Sequence, residues 1–260
     1  METFLAPSSQ TRSFLLLPHF SLPKRRVARC SPILAVLAKP APSPENIAGS
    51  TEKNGTVQTV YNDSWIDRMA ANYLSKQVQD ATGLRNNKRD YASLVQATID
   101  ASKMFDVIKQ RELMLEALHN AVPRLISDMI KTMLPLSQFK REYFATFTTI
   151  FFVWLVGPCE VRESEFNGKM EKNVVHITKC RILEETNCVG TCTNLCKVPS
   201  QTFIKDSFGM PVNMVPNFDD MSCQMIYGEE PPALAEDPAF KQPCYKICKS
   251  KKSHKAECAT

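Results

Sequence analysis

Three cysteines in the C-terminal third of the chain, Cys188, Cys192 and Cys196, recur at every fourth residue. In a helix, side chains four residues apart differ by only about 40° in direction, so the three sulfurs would share one face. Their Cβ atoms would lie roughly 5–6 Å apart, a separation that suits thiolates bound to a common metal ion or iron–sulfur cluster. Cys244 and Cys248 repeat the same spacing.

The candidate metal ligands are six cysteines of this region: Cys188, Cys192, Cys196, Cys223, Cys244 and Cys248. Thiolates select iron–sulfur clusters, zinc and cuprous copper. A zinc ion would be bound by Cys188 and Cys192 together with Cys244 and Cys248. A four-iron cluster would be bound by Cys188, Cys192 and Cys196 and by one of Cys223, Cys244 and Cys248. The pattern predicts a metal centre, with iron favoured over zinc and with disulfides or free thiols as the remaining alternative. It leaves open whether the iron is mononuclear or part of a cluster.

No other motif competes with the cysteines as a chemical site. The sequence has no Gly-rich phosphate-binding loop, no Gly-x-Ser-x-Gly elbow and no His-Glu-x-x-His motif. His176 falls in a predicted strand, where we interpret it as an ordinary surface or core residue, with a further metal ligand as the alternative. The sequence assigns no catalytic residue and no substrate-binding residue.

The positive charge of the chain is concentrated at its N-terminus. The formal net charge is +5, but residues 1–44 contain six basic residues and one acidic residue, and the remainder is balanced. A nucleic-acid-binding protein needs a basic surface that contacts phosphates, so the balanced remainder argues against that class of partner.

Residues 1–44 have the composition of an organelle transit peptide, because they are rich in Ser and Pro, contain Arg and are almost free of acidic residues. We therefore predict a plastid protein, in the stroma or peripheral to a membrane. Residues 45–61 are predicted to form a disordered lead-in, and residues 250–260 a frayed tail. An organelle location favours metal ligation or redox chemistry over structural disulfides.

Residues 62–158 show helical periodicity. Helices are predicted at residues 62–82, from about residue 90, at residues 109–122, and from Pro123 to Pro135. Apolar residues recur at helical spacing in each helix and are predicted to face the core. In the first helix they are Ile66, Met69, Ala70, Tyr73, Leu74, Val78 and Ala81. In the fourth they are Leu125, Ile126, Met129, Ile130 and Met133.

A run of 17 uncharged residues, 143–159, follows a capping residue at Ser137. The run is at the lower length limit for a membrane span, and it contains Gly157 and Pro158. We predict that it is the central buried helix. The alternative is that part of it lines an apolar groove or rests on a membrane, because its many aromatic side chains suit a flat, apolar ligand.

After this run, the periodicity of the apolar residues changes from that of helices to that of β-strands. Two strands on either side of Asn167-Gly168 are predicted to form a β-hairpin. Residues 199–208 are predicted to be helical, residues 210–232 to form a proline-punctuated loop, and Cys244 and Cys248 to share a last helical turn. The predicted fold class is mainly α (α+β). It comprises a helical bundle at residues 62–158, followed in the same domain by a small β-hairpin and a cysteine-rich, metal-clamped C-terminal lobe at residues 159–249.

Seven short segments carry a resemblance to a known family: Ala71-Asn-Tyr-Leu-Ser-Lys76, Phe152-Val-Trp-Leu-Val-Gly-Pro158, Cys180-Arg-Ile-Leu183, Asn187-Cys-Val-Gly-Thr-Cys192, Cys196-Lys-Val-Pro-Ser-Gln201, Phe208-Gly-Met-Pro211 and Lys241-Gln-Pro-Cys244. Together they resemble the plastid β-carotene isomerases of strigolactone biosynthesis, the dwarf twenty-seven family. The resemblance extends from about residue 62 to residue 249.

The resemblance implies an iron-dependent isomerase that interconverts all-trans-β-carotene and 9-cis-β-carotene in an early step of strigolactone (carlactone) biosynthesis. It implies a carotenoid substrate and a carotenoid cleavage dioxygenase that acts downstream. Because the substrate dissolves in lipid, we also expect peripheral contact with a plastid membrane.

Isomerisation requires that the order of a polyene double bond be lowered. A metal centre that exchanges an electron with the polyene could do this, while the protein orients the substrate and excludes water. Addition of a cysteine thiolate is a second route. Three other functions remain open: a metal-containing carotenoid carrier, an iron–sulfur electron-transfer protein, and a paralogous isomerase with another isomer preference.

Overall fold

The computed structural model describes residues 59–249. Its helices are α1 (Trp65–Thr82), α2 (Asp90–Met104), α3 (Val107–Ala121), α4 (Arg124–Met133), α5 (Gln138–Phe151), α6 (Val153–Val156), α7 (Arg181–Thr186) and α8 (Val198–Phe208). Its strands are β1 (Cys159–Phe166), β2 (Lys169–Ile177), β3 (Val212–Pro216) and β4 (Cys223–Tyr227). A π-helical segment (Thr191–Lys197) leads directly into α8, and a 3₁₀ helix (Pro238–Lys241) follows the sheet. The predicted transit peptide and tail lie outside the described residues.

The helices begin where the sequence offers capping side chains. Ser64 Oγ accepts a hydrogen bond from the Asp67 N–H, and the Asp67 carboxylate accepts one from the Ser64 N–H, which completes a capping box at the start of α1. Gly83 ends this helix in the left-handed conformation. Ser137 caps α5 through the Lys140 N–H, as predicted. None of the helices between residues 59 and 249 is both long enough and apolar enough to cross a membrane.

The four strands form one antiparallel sheet in the order β1-β2-β4-β3. The predicted hairpin is confirmed, since Asn167 and Gly168 both have positive φ (51° and 76°) and connect β1 to β2. The prediction that residues 210–232 form a loop is wrong, because β3 and β4 lie within it. Pro211 and Pro216 argued against a strand in this part of the sequence. However, β3 is an edge strand, where a proline at either end is tolerated.

One face of the sheet packs on α5. Val175 and Ile177 of β2 and Met225 and Tyr227 of β4 are buried there. The ring of Phe144 in α5 lies 5.9 Å from that of Tyr227. The α+β fold class is therefore confirmed, although the β part is a four-stranded sheet and not only a hairpin.

The apolar stripes of α1 and α4 face the core only in part. In α1, Val78 is buried and Leu74 and Ala81 pack against the core, whereas Ile66, Met69 and Tyr73 are exposed. In α4, Ile130 packs against the core and Ser127 is buried, whereas Leu125, Ile126, Met129 and Met133 are exposed. Periodicity shows that a helix has an apolar face, but the tertiary contacts decide where this face points.

Helix α5 is buried on one side only. Phe144, Ala145 and Thr148 face the core, but Phe139, Tyr143 and Phe151 are exposed. The prediction of a central buried helix is thus confirmed for one face and wrong for the other.

A buried ion pair joins α5 to the sheet. The Arg141 guanidinium donates two hydrogen bonds to the Glu171 carboxylate, at 2.6 and 2.7 Å, and also lies 4.1 Å from the centroid of the Phe166 ring. Gly228 leaves the space for it, because a Cβ at that position would lie 2.2 Å from Arg141 Cδ. The φ of Gly228 is also positive, at 96°.

We expect Gly228→Ala to lower the free energy of unfolding by about 3 kcal/mol, because it combines a steric clash with an unfavourable φ. Gly83→Ala is the matched control, because Gly83 also has positive φ but a Cβ added there would meet no atom within 4 Å. It should cost only about 1 kcal/mol. Urea unfolding followed by circular dichroism measures both values, and equal losses would contradict the steric argument.

Candidate functional site: a buried thiol cluster beside an aromatic helix face

Four free cysteine thiols, Cys180, Cys192, Cys196 and Cys223, interact electrostatically in the interior and are here called the thiol cluster. Burial raises the pKa of Cys192 well above its usual range, and the negative charges of Cys180, Cys196 and Cys223 raise it further. The pKa of Cys223 is raised in the same way by burial and then by Cys180 and Cys196.

Two of the four thiols are positioned by the sheet and by the segment that follows it. Cys223 begins β4 opposite Ile177 of β2, and its side chain lies on the buried face. Cys180 immediately precedes α7, and its N–H donates to the carbonyl of Met221 at 2.7 Å. This hydrogen bond holds the backbone of Cys180 next to the start of β4.

The other two thiols lie in the π-helical segment, where residues four apart still share nearly one face. Asn194 in this segment is fully buried and accepts two hydrogen bonds from the Arg111 guanidinium, at 3.0 and 2.7 Å. Lys197 forms a buried salt bridge with Asp237. π-Helical turns are uncommon and are frequent at functional sites. Here the turn places Cys192 and Cys196 towards Cys180 and Cys223.

Of the predicted trio of Cys188, Cys192 and Cys196, the last two belong to the thiol cluster. Cys188 lies at the start of the helical stretch, where its Sγ accepts a hydrogen bond from the Thr191 N–H at 3.3 Å. This is the position and the role of a helix N-cap.

The predicted pair of Cys244 and Cys248 also differs from expectation. The two residues do not share a helical turn, because residues 242–245 have no regular secondary structure. Cys244 is engaged in a disulfide, so its sulfur is not available as a thiolate. Cys248 is buried, and its N–H donates to the carbonyl of Tyr245 at 3.2 Å. Tyr245 itself approaches the thiol cluster, because burial and then Cys192 raise its pKa.

Cys180 was missed as a candidate ligand because it has no cysteine partner at a regular spacing. Only the Cys180-Arg-Ile-Leu motif drew attention to it. His176, in contrast, is not a member of the site. It pairs with Gln224, the residue after Cys223, and therefore lies on the opposite face of the sheet.

The thiol cluster has the donor chemistry of an iron site but not the arrangement of a formed one. Within residues 59–249, no three His, Cys, Asp or Glu side chains are placed so that they could hold a metal ion. Burial raises the pKa of Cys196 to about 12, so this thiol is neutral at physiological pH unless a cation is bound. Thiolates are donors that fit iron, and Cys180, Cys192 and Cys223 are buried while Cys196 is half-buried. The side chains would have to be rearranged around a common point to bind it.

Next to the cluster, the Arg181 guanidinium is held by a dense set of contacts. It donates to both carboxylate oxygens of Asp63, at 2.7 and 2.8 Å, and to the carbonyl of Trp154 at 2.8 Å. It lies 4.2 Å from the ring centroid of Tyr61 and 3.7 Å from that of Tyr91. These contacts fix the residue that follows Cys180.

Residues 59–61, the end of the predicted disordered lead-in, are part of this arrangement. The Glu184 carboxylate accepts hydrogen bonds from the Thr59 N–H and Oγ1–H, at 3.0 and 2.9 Å, and from the Tyr61 hydroxyl at 2.7 Å. The segment therefore crosses α7 in an ordered conformation.

The exposed side of α5 carries a stack of rings four residues apart, here called the aromatic ladder: Phe139, Tyr143, Phe147 and Phe151. Successive ring centroids lie 6.2, 5.9 and 4.5 Å apart. The ladder ends beside Phe152, whose ring lies 5.8 Å from that of Phe147. Two residues later, the carbonyl of Trp154 binds Arg181. A short path of chain thus connects the ladder to the thiol cluster.

A separate cleft of about 380 Å³ lies along α2. Its lining includes Lys88, Lys103 and Lys249, and it shares no residue with the thiol cluster or the ladder. Its lysines do not suit an apolar polyene.

We expect Asp63→Asn to lower the free energy of unfolding by about 2–4 kcal/mol, because it leaves the Arg181 charge buried without a counter-ion. The matched control is Asp80→Asn, which breaks the exposed ion pair of Asp80 with Arg85 and should change stability by no more than about 0.5 kcal/mol. Chemical denaturation measures both. If Asp63→Asn lowered the free energy of unfolding no more than Asp80→Asn does, Arg181 would not depend on this carboxylate.

The raised thiol pKa values predict an unusual pH profile of alkylation. In metal-free protein, iodoacetamide should modify Cys196 at a rate that still rises about tenfold per pH unit up to pH ~11, because only the thiolate reacts. In the urea-unfolded chain the rate should level off near pH ~9, as for an ordinary thiol. Quantitative mass spectrometry of the modified peptide measures both profiles. A plateau at the same pH in the two states would contradict the effect of burial.

Comparison with known proteins agrees with the resemblance seen in the sequence. The family described as beta-carotene isomerase D27-like, C-terminal, matches residues 154–236, which include the whole thiol cluster. The chain is 58% identical over 226 residues to beta-carotene isomerase D27, chloroplastic, of Medicago truncatula, which covers 87% of both chains. It is 49% identical over 228 residues to the protein of the same name from Arabidopsis thaliana, covering 86% of this chain and 85% of the relative.

No solved structure matches the chain. The names of both relatives include the chloroplast, which confirms the predicted plastid location. With this identity over most of its length, the chain belongs to the beta-carotene isomerase D27 family.

Proposed function

We propose that this protein isomerises β-carotene between the all-trans and 9-cis forms, as an early step of strigolactone (carlactone) biosynthesis in the plastid. The observation that carries the proposal is the exposed aromatic ladder, in a chain that also holds the thiol cluster and whose relatives are named for this activity. A carotenoid cleavage dioxygenase would consume the product. Peripheral contact with a plastid membrane would bring the enzyme to a substrate that dissolves in lipid.

The aromatic ladder is consistent in shape and chemistry with a long, flat, apolar substrate. Its four rings extend over about 18 Å of helix, from the rise of 1.5 Å per residue. Their exposed edges and faces offer apolar contact along one line, and Phe147 and Phe152 meet edge to face at its end. A polyene laid along this line would be oriented and partly shielded from water.

Iron is the proposed cofactor, either mononuclear or as an iron–sulfur cluster, and the proposed ligands are Cys180, Cys192, Cys196 and Cys223. Bound iron would supply reversible one-electron chemistry, which lowers the order of a polyene double bond without net oxidation. The sequence-based ligand set, which includes Cys188, Cys244 and Cys248, stays a prediction for those three residues. Their positions at a helix cap, in a disulfide and in a separate turn do not support it.

The polar groups around the thiol cluster are already engaged in the fold. The Tyr91 hydroxyl donates to the carbonyl of Leu155 at 2.9 Å, and burial raises its pKa well above its usual range. Lys197 is paired with Asp237. Both groups thus already have hydrogen-bonding partners within the fold.

The testing experiment compares two cysteine variants of the full chain. All-trans-β-carotene in detergent micelles is incubated anaerobically with iron-loaded protein, and the isomers are separated by chromatography. Cys192→Ser should lower the rate of 9-cis formation at least about 100-fold and reduce the bound iron, because it removes one of four thiolates. Cys159→Ser is the matched control, since Cys159 lies on β1 and the thiol cluster does not contribute to its pKa. It should keep both activity and iron.

The outcomes separate the competing functions. Unchanged activity of folded Cys192→Ser would contradict a catalytic role of the thiol cluster. Lost activity with retained iron would favour direct addition of a thiolate to the polyene. A folded, iron-loaded wild-type protein that binds carotene but leaves the isomer ratio unchanged would instead be a carrier.

A further inference from the structure

The cleft along α2 has an apolar floor. Its volume is about 380 Å³, and the helix contributes to it a row of side chains at helical spacing: Ala92, Val95 and Ile99, followed by Lys103. Residues spaced in this way share one face of a helix. The row from Ala92 to Lys103 extends over about 16 Å, at a rise of 1.5 Å per residue. The cleft is therefore elongated along α2.

Another part of the wall is formed at the end of α7. Glu185 of this helix and Lys249 both line the cleft. The Lys249 N–H donates to the carbonyl of Thr186 at 3.2 Å, and the Lys249 ammonium donates to the carbonyl of Glu185. These two hydrogen bonds hold Lys249 in the wall, so a charged group is fixed beside the apolar floor.

The charges that line the cleft are mainly positive. They are the ammonium groups of Lys88, Lys103 and Lys249 and the carboxylate of Glu185. Lys88 precedes α2, Lys103 lies in its last turn, and both side chains are exposed. Within residues 59–249, neither Lys88 nor Lys103 forms an ion pair. Unpaired cations in a concave site attract an anion.

Shape and charge together restrict the occupant. Clefts of ~300–1,000 Å³ are typical of small-molecule sites, and this one has the volume of about 12 water molecules. A carotenoid has no group that the lysines would bind, and a free phosphate would leave the apolar floor without contact. Residues 250–260, which follow Lys249, contain three lysines and one acidic residue, so the tail of the chain does not supply the anion.

We propose that this cleft binds a small organic anion, in which a carboxylate or phosphate group contacts the lysines and a short apolar chain lies along Ala92, Val95 and Ile99. Such a ligand would contact both α2 and the segment held at the end of α7. The site shares no residue with the thiol cluster or the aromatic ladder, and the inference does not depend on the proposed isomerase activity.

The test is isothermal titration calorimetry of the full chain with four probes: octyl phosphate, octanoate, octanol and inorganic phosphate. The first two carry both an anionic group and an apolar chain, octanol lacks the charge, and inorganic phosphate lacks the chain. The wild-type protein should bind the tighter of the two octyl anions at least about tenfold more tightly than octanol or inorganic phosphate. The order of octyl phosphate and octanoate then shows which anionic group the lysines prefer.

The charge of the cleft is tested with Lys88→Gln/Lys103→Gln. This variant should bind the octyl anions at least about tenfold more weakly, because two unpaired cations are lost, and should leave the binding of octanol nearly unchanged. The matched control is Lys76→Gln/Lys169→Gln, which removes two exposed lysines that do not line the cleft. The control should bind all four probes like the wild type.

The shape of the cleft is tested with Ala92→Phe, which fills the floor and leaves the charge unchanged. Ala92 is exposed, so this variant should fold, and circular dichroism verifies this. It should bind the octyl anions at least about tenfold more weakly, whereas Ala235→Phe, at an exposed alanine outside the cleft, should bind them like the wild type.

Several results would overturn the proposal. They are no binding of either octyl anion by the wild type, binding of inorganic phosphate or octanol as tight as that of the octyl anions, and equal binding by either cleft variant and its control. Equal binding would place the octyl chain on another apolar surface of the protein, because both controls retain those surfaces.

Discussion

The buried guanidinium of Arg181 is the constraint on which the rest of the site depends. A charge in the interior is tolerated only when it is paired and hydrogen-bonded. Here Asp63 and the carbonyl of Trp154 accept hydrogen bonds from its two terminal nitrogens, and the rings of Tyr61 and Tyr91 lie against it. These partners come from the segment before α1, from α6 and from α2. One side chain therefore fixes three parts of the chain around the residue next to Cys180.

Buried polar side chains and exposed apolar side chains also occur elsewhere in the molecule. The interior contains a Ser75–Ser93 hydrogen bond of 2.8 Å between α1 and α2, and Lys140, whose ammonium donates to the carbonyl of Phe208 at 2.7 Å. The outside carries the apolar stripes of α1, α4 and α5. Polar side chains thus help to hold the core, while apolar side chains remain exposed.

The sequence was informative where local chemistry decides the structure. Ser137 and Asn167-Gly168 act through their own backbone conformation or a near neighbour, and each lies where it was predicted. It was not informative where distant contacts decide. The direction of the α4 stripe depends on α8, and the place of Cys180 in the thiol cluster depends on Met221.

The electrostatics of the thiol cluster connect folding, metal binding and pH. The folded state raises the pKa of all four thiols, so it favours their neutral form. Their contribution to stability is therefore complete below the pKa of the unfolded thiols, about 8.5, and is lost as the pH rises through the higher folded values. A cation bound among them would reverse this preference, because it stabilises the thiolates and releases their protons. Iron bound among these thiols would have to overcome the cost of their deprotonation, so its loading would become more favourable as the pH rises.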